Sequence, residues 1–228
     1  MNINLINQYL VKTLEHQIEL DTLRERLGVN FVIADIGAAN GLDSLKYSKQ
    51  FPDATIHSFE PEKRNYEALV ALTRECPRIM CYNIALGDAN LNGVDFFVSD
   101  GYLNDEKMEE NRGDKSSSLL QPKEHLTRWS WIKFEKTNTN VRRFDCMGIN
   151  DIDFVHMDVQ GYELKVLSGF GTLLNRVQAV WMEVSRVPLY LGQPLRDDVM
   201  DFMREKSFTL KKDAVSDFTG NQFYIKDK

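Results

Sequence analysis

The stretch Phe31–Gly41 constrains the fold of this chain more than any other part of the sequence. Its first half is short, apolar and partly β-branched, which is typical of a strand buried on both faces of a parallel sheet. Its second half is a small-residue turn, DIGAANG, where the backbone can bend tightly and a ligand can approach closely. A helical pattern of apolar residues begins at Leu42. Strand, turn and helix in this order predict the start of a nucleotide-binding βαβ unit.

A carboxylate follows the turn at the distance that such a unit requires. The second predicted strand, Thr55–Phe59, is followed directly by Glu60. A carboxylate about 20 residues beyond the glycine turn can accept hydrogen bonds from both hydroxyls of a ribose. We therefore predict that Glu60 binds the ribose of a nucleotide.

The residues of the turn favour one adenosine-containing ligand, S-adenosylmethionine (SAM). Ala39 stands where a dinucleotide site needs its second glycine, and Asp35 places an acid close to where a phosphate would lie. SAM avoids both conflicts, because its carboxylate can meet the helix N-terminus and its ammonium can meet the acid. The predicted SAM-binding residues of this unit are Asp35, Gly37, Ala38, Asn40, Gly41 and Glu60.

Composition limits the partners and the compartment. The net charge of −6 argues against a nucleic-acid partner, which would favour a basic face. No apolar run approaches the ~20 residues of a membrane span. The three cysteines lack the spacing of a metal site, which predicts free thiols in a reducing compartment, the cytoplasm by default. No ligand spacing demands a metal, so we name no metal-binding residue, and a requirement for a divalent cation stays open.

Residues 1–27 carry apolar side chains at three- and four-residue steps, a pattern that predicts an amphipathic helix. Gly28 is expected to end it. Two roles are open for the apolar stripe: it covers one edge of the sheet, or it forms a homodimer. The length of 228 residues is within reach of one α/β domain, so we predict a helix over 1–28 and a single domain over 29–228.

Strands and helices alternate along the rest of the chain. The further predicted strands are 79–86, 94–98, 139–144, 153–158 and 177–184, and the predicted helices are 61–75, 162–169 and 195–206. Segments 208–210 and 221–225 are predicted to close the sheet as an antiparallel pair. This alternation predicts a doubly wound three-layer α/β sandwich.

Between residues 99 and 140 the alternation gives way to a polar stretch, too long for an ordinary connection. We predict an inserted lid in which Ser118 and His125, beside Trp129 and Trp131, bind a sugar-like acceptor. The alternative is a surface lid whose tryptophans only anchor it to the body.

Asp88 follows the third predicted strand. At the carboxyl ends of the strands the adenine ring of SAM would fall near it, so we predict that Asp88 contacts the cofactor. The alternative is that Gly87 and Asp88 only make a turn, which both residue types favour.

Five segments together resemble the FkbM-type family of SAM-dependent methyltransferases: DIGAANG at 35–41, FEP at 59–61, NIALGD at 83–88, SSSL at 116–119, and 153–169 with its Asp158-x-x-Gly161-x-Glu163 core. The resemblance covers roughly residues 30–206. It implies the class I methyltransferase fold, with seven strands and the last strand antiparallel. It also implies transfer of a methyl group from SAM, usually to a hydroxyl of a sugar, polysaccharide or related natural product.

Three acids are predicted to meet at the rim of the cleft. Asp158 ends the predicted strand 153–158, Glu183 lies at the end of the predicted strand 177–184, and Glu163 lies one turn into the helix that follows Asp158. Asp158 is the first candidate to lie beside the reacting methyl group, as general base or as an anchor for the SAM ammonium or the acceptor. The alternative role of Glu163 is a charge at a helix N-terminus. Gln160 is placed beside the acceptor, and His156 is expected to be a packed core residue.

The resemblance is incomplete at two positions, and two other functions stay open. The family commonly has Glu and Lys where this chain has Gln160 and His156, so acid–base roles are not carried over. Gln160 removes a charge beside the acceptor, which leaves room for a SAM-binding protein without catalysis. An NAD-dependent oxidoreductase would share the first βαβ unit, but the missing central glycine disfavours it.

Overall fold

The structure of the protein is a computed structural model that describes residues 3–27, 31–103 and 112–227. The helices in these ranges are α1 (Ile3–Val11), α2 (Gln17–Leu27), α3 (Leu42–Gln50), α4 (Lys63–Thr73), α5 (His125–Arg128), α6 (Glu163–Gly169) and α7 (Arg196–Glu205). The strands are β1 (Val32–Ile36), β2 (Thr55–Phe59), β3 (Ile79–Tyr82), β4 (Ala85–Leu86), β5 (Leu91–Asp100), β6 (Lys133–Arg142), β7 (Phe154–Met157), β8 (Ala179–Ser185), β9 (Phe208–Val215) and β10 (Thr219–Lys226).

The main sheet has seven strands in the order β3-β2-β1-β7-β8-β10-β9. The five strands from β3 to β8 in that order pair in parallel, and β10 runs antiparallel to both of its neighbours. This arrangement confirms the predicted α/β fold class, including the last antiparallel strand. Because the order reverses beside β1, the carboxyl ends of β1 and β7 flank the crevice where such sheets bind ligands.

Helices cover both faces of the main sheet. Alternate residues of a strand point to opposite faces, and the two faces of β1 accordingly belong to two apolar clusters. Ile36 packs in a cluster with Val166 of α6, whereas Ile33 packs in a cluster with Leu23 of α2 and Tyr47 of α3. The second face therefore carries α2 and α3, and α1 packs against α3.

The N-terminal region differs from the single predicted helix. It forms two helices, and His16 in the connection between them turns inward and is buried. Leu20 and Leu23 of α2 lie in the core, so the apolar stripe packs against the sheet of its own chain. Gly28 lies outside the described residues, and the boundary between helix and domain stays a prediction. None of the described helices combines the length and the apolarity that a bilayer-spanning segment requires.

The two other differences concern strands. The predicted strand 79–86 is divided between the two sheets, with β3 in the main sheet and β4 in a three-stranded sheet of order β4-β6-β5. The last part of the predicted insertion over 99–140 is strand, because residues 133–140 belong to β6, which pairs antiparallel with β5. Only Val141 of β6 is buried, so this strand has the polar composition of a loop.

Candidate active site

A cavity of about 440 Å³ lies at the carboxyl ends of the parallel strands. Its volume is in the range of clefts that hold cofactors and small molecules. The lining joins the turn after β1, the ends of β2, β7 and β8, and the connection between α1 and α2. The predicted site residues along it are Gly37, Ala38, Asn40, Glu60, Ser118, Asp158, Gln160 and Glu183.

The turn after β1 presents backbone to the cavity. The N–H groups of Gly37 and Ala38 donate to the carbonyl of Phe59 at 2.9 and 3.0 Å, which fastens the turn to the end of β2. Gly37 has a φ of 82° and Gly41, which precedes α3 behind the lining, has a φ of 83°; both are left-handed values that favour glycine. A Cβ at Gly37 would lie 1.9 Å from the backbone oxygen of Asp158. The turn therefore reaches the end of β7 only because residue 37 has no side chain.

Glu60 lines the cavity beyond β2, and its residue surface is 6% exposed. Its two carboxylate oxygens accept the N–H of Glu62 at 2.7 Å and the N–H of Ala39 at 2.8 Å. Burial raises the pKa of Glu60 to about 8, although both N–H groups favour the ionised form. Since a carboxylate oxygen has two acceptor sites, each oxygen can accept one more hydrogen bond from a ligand hydroxyl.

Asp35, predicted to meet the SAM ammonium, lies beneath the cavity and outside its lining. Its buried carboxylate accepts from Ser44 Oγ at 2.5 Å and lies 2.8 Å from His156 Nδ1. Burial lowers the pKa of His156, but the hydrogen bond and the charge of Asp35 outweigh burial and raise it to about 9. His156 lines the cavity. At neutral pH it therefore presents a cation there, which differs from the packed core role that we expected.

Two of the three predicted catalytic acids meet in the cavity. Asp158 and Glu183 both line it, and the Gln160 amide nitrogen donates to them at 2.6 and 2.8 Å. Burial raises the pKa of both carboxyls. Glu163 lies outside the lining, is buried, and accepts the N–H of Gly161 at 2.9 Å. Within the described residues, no group of three or more His, Cys, Asp or Glu side chains is arranged to hold a metal ion.

Two more predicted residues lie away from the cavity lining. His125 is buried against Trp129, with their ring centroids 4.8 Å apart. Asp88 forms an ion pair with Lys165 at 2.7 Å. Ser118, in contrast, lines the cavity and donates its hydroxyl proton to the backbone oxygen of Gln160 at 2.8 Å. Of the residues predicted to bind the acceptor, the structure brings together Ser118 and Gln160.

The sequence analysis missed the wall that the N-terminal segment supplies. Tyr9 and residues 12–16 line the cavity, and the Tyr9 hydroxyl donates to Asp43 at 2.5 Å. His16 stacks on Trp181 with ring centroids 4.3 Å apart, and burial lowers the pKa of His16 to about 2, so that its ring is neutral. Apolar periodicity predicts that α1 and α2 pack, but not over which surface. No signal in the sequence therefore places this segment at the site.

Comparison with known proteins agrees with the fold. A family model described as the methyltransferase FkbM domain matches residues 35–210. Over 171 residues the chain is 34% identical to the 2-O-methyltransferase NoeI of Sinorhizobium fredii, an alignment that covers 72% of this chain and 68% of NoeI.

Two solved structures show the same fold. The methyltransferase FkbM from Methylobacillus flagellatus KT has a TM-score of 0.57 at 14% identity, with 95% of this chain and 47% of that chain covered. This chain thus spans about half of that protein. An rRNA methylase from Streptococcus thermophilus has a TM-score of 0.50 at 10% identity, with coverages of 96% and 99%. The predicted family is confirmed: the chain belongs to the FkbM family and is a SAM-dependent methyltransferase.

Proposed function

We propose that the protein transfers the methyl group of SAM to a hydroxyl of a sugar, a polysaccharide or a related natural product. The observation that carries this proposal is a continuous cavity that joins the predicted ribose carboxylate, Glu60, to the acids Asp158 and Glu183. One part suits an adenosine, and the other suits a group that must lose a proton. The similarity to NoeI, which is named a 2-O-methyltransferase, supports a hydroxyl acceptor.

The residues along the cavity fit SAM. The small residues Gly37, Ala38 and Ala39 line the cavity, so a ligand can approach the backbone of the turn closely. Glu60 would hold the ribose hydroxyls, and residues 37–40 would hold the amino-acid end beside the N-terminus of α3. When bound, SAM supplies an electrophilic methyl group on a sulfonium sulfur.

The part of the cavity lined by Asp158 and Glu183 would align the acceptor with the methyl group and supply a base. Holding the acceptor oxygen in line with the methyl carbon can in principle lower the barrier by about 7–11 kcal/mol. Asp158 would take the hydroxyl proton, and a positioned base contributes about 10²–10⁴-fold. The N-terminal segment, with His16 stacked on Trp181, covers this part of the cavity and would limit the access of water to the reacting atoms.

Methyl transfer from tritiated SAM into a panel of sugars, glycans and other hydroxyl compounds tests the proposal. Label is expected in at least one acceptor, in acid-stable form as in an ether. Calorimetry with SAM and with NAD tests cofactor choice separately, and only SAM is expected to bind. SAM binding with no labelled acceptor would favour the alternative of a SAM-binding protein without catalysis.

We expect Glu60→Gln to weaken SAM binding at pH 9 by roughly 1–3 kcal/mol, about 5–150-fold, because ribose hydroxyls donate to the ionised carboxylate. The pKa of Glu60 is raised to about 8. Below that pH a proton must leave before the ribose binds, so the advantage of the wild type falls by up to about tenfold per pH unit. Calorimetry from pH 6 to pH 9 should therefore show a wild-type to variant affinity ratio that rises with pH.

Glu62 offers a matched control for this prediction. It is also buried, but its carboxylate caps α4 by accepting from the N–H groups of Arg64 and Asn65, and it lies outside the lining of this cavity. Because the charge of Glu62 adds to the raised pKa of Glu60, we expect Glu62→Gln to keep wild-type SAM affinity at pH 9 and to move the rise of affinity to lower pH. A folded Glu60→Gln protein with wild-type affinity at pH 9 would contradict the ribose-binding role.

The remaining proposals concern the class of acceptor, the cellular compartment and the oligomeric state. The acidic net charge of −6 supports an acceptor that is not a nucleic acid. The free cysteines Cys76, Cys81 and Cys146 are compatible with the cytoplasm, which we propose as the compartment. A homodimer through the N-terminal helices would use the exposed side chains Val11 and Ile18, since Leu20 and Leu23 are already buried in the core. Sedimentation of the purified protein tests the dimer.

A further inference from the structure

One amide joins the two acids of the cavity. Gln160 Nε2 lies 2.6 Å from Asp158 Oδ1 and 2.8 Å from Glu183 Oε2. An amide nitrogen carries two protons, so it can donate one to each carboxylate. On its other side, Gln160 Oε1 accepts the hydroxyl proton of Tyr190 at 2.9 Å. Donors and acceptor of the amide are thus all used.

The amide is held from both ends. Tyr190 is fully buried, and its hydroxyl also lies 2.7 Å from the backbone oxygen of Ser116. The hydroxyl has a single proton, which these two acceptors share, and Gln160 keeps its oxygen toward that proton because its amide nitrogen donates to Asp158 and Glu183. The backbone of Gln160 is left-handed, with a φ of 52°, and its carbonyl accepts from Ser118 Oγ at 2.8 Å. Such strain persists where the surroundings fix it, often at functional sites.

The charges around the pair are asymmetric. Burial raises the pKa of both carboxyls, but the positive charges of His156 and Lys115 oppose this at Asp158. The negative charges of Asp158 and Glu163 add to it at Glu183. The titratable groups facing the pair are His156 on β7, Asp43 on α3, Glu163 on α6, Lys115 and Tyr190, and Lys12, Glu15 and His16 line the same cavity. A proton shared by the pair therefore resides on Glu183.

We propose that Gln160, oriented by Tyr190, is a positioning residue that keeps Asp158 ionised for the acceptor hydroxyl while Glu183 carries the proton of the pair. The inference rests on the proposed function, in which Asp158 is the base. In the transfer, the acceptor oxygen bonds to the methyl carbon and the carbon–sulfur bond breaks with its electron pair left on sulfur. The hydroxyl proton goes to Asp158.

The test changes the amide of Gln160 or the hydroxyl of Tyr190 and measures the titration of the two acids directly. Gln160→Glu introduces a third carboxylate, and Tyr190→Phe frees the amide to turn. Carboxyl ¹³C NMR of the protein with neither acceptor nor cofactor measures the titration, with Asp158→Asn and Glu183→Gln spectra to identify the signals. In Gln160→Glu we expect the lower apparent pKa of the pair to rise by about 1–3 pH units. Tyr190→Phe should move it in the same direction by less.

Tyr224 provides a matched control, because its buried hydroxyl also donates to a glutamine oxygen, Gln222 Oε1 at 2.7 Å, away from the cavity lining. Tyr224→Phe should leave the titration of the acids unchanged. Titrations of Gln160→Glu and Tyr190→Phe that match the wild type would overturn the proposal, and Tyr190→Phe alone decides it should Gln160→Glu fail to fold. If the titrations move as expected but the wild type methylates no hydroxyl, the positioning role stands and the proposed function fails.

Discussion

Asp158→Asn is expected to lower kcat for methyl transfer by about 10²–10⁴-fold, the usual contribution of a positioned base. The carboxamide keeps the size of the side chain but cannot take the hydroxyl proton. Asp158 lines the cavity beside Glu183, and Gln160 bridges the two. Steady-state kinetics with a labelled acceptor measures kcat, and calorimetry measures SAM affinity, which should stay within about tenfold of the wild type.

The same pair of measurements separates the two roles that the sequence left open for Asp158. Loss of kcat at nearly constant SAM affinity marks a base, whereas weaker SAM binding at unchanged kcat marks an anchor for the ammonium. Asp88→Asn is the control, because the Asp88 carboxylate lies 2.7 Å from Lys165 and outside the cavity lining. We expect it to change neither quantity. An Asp158→Asn enzyme with wild-type kcat would contradict the assignment of the base.

The sequence predicted best those residues of the cavity that lie in neighbouring elements of the chain. The turn that contains Gly37 and the carboxylate Glu60 belong to consecutive elements of one βαβ unit, so their spacing along the chain fixes their spacing at the cavity. The family resemblance extended this to Asp158, and the acid at the end of the predicted strand 177–184 added Glu183. Asp158 directly follows β7, Glu183 lies in β8, and these two strands are neighbours in the sheet. These four residues all lie along the cavity, and their roles in it stay predictions.

Contacts between distant parts of the chain could not be predicted in the same way. Asp35 was placed at the SAM ammonium because it precedes the turn, but its carboxylate meets His156, 121 residues away, under the cavity. An alternating strand pattern predicts which residues share a face of the sheet. It does not predict which charged residue of a neighbouring strand, here His156, will lie on the same face. The cation at His156 therefore emerged only from the structure.

The polar composition of β6 led us to predict an insertion where the chain forms a strand at the surface. β6 reads KFEKTNTNVR, and its polar side chains resemble a loop because only Val141 is buried. Its pairing with β5 supplies the backbone hydrogen bonds that make it a strand. Because nearly every residue type has the same backbone donor and acceptor, the sequence does not show which backbone groups will pair. His125 was assigned to the acceptor for its residue type, yet it is buried against Trp129.

Gly37→Ala is expected to lower the free energy of unfolding by roughly 2–4 kcal/mol and to weaken SAM binding strongly. A left-handed backbone costs an alanine about 1 kcal/mol relative to glycine, and a Cβ 1.9 Å from the Asp158 carbonyl oxygen must push two backbone segments apart. Overpacking of that kind costs about 1–3 kcal/mol. Urea denaturation measures stability, and calorimetry measures SAM affinity on the fraction that remains folded.

Gly148→Ala separates the two contributions. Gly148 has a φ of 72°, close to that of Gly37, but a Cβ there would meet nothing within 4 Å. It should therefore cost only the backbone strain of about 1 kcal/mol and leave SAM affinity unchanged. Equal losses in the two variants would show that the turn does not cross the end of β7 at contact distance. A larger loss at Gly37 would show that the turn meets the end of β7 at contact distance, so that residue 37 also fixes the position of the backbone that carries Asp158.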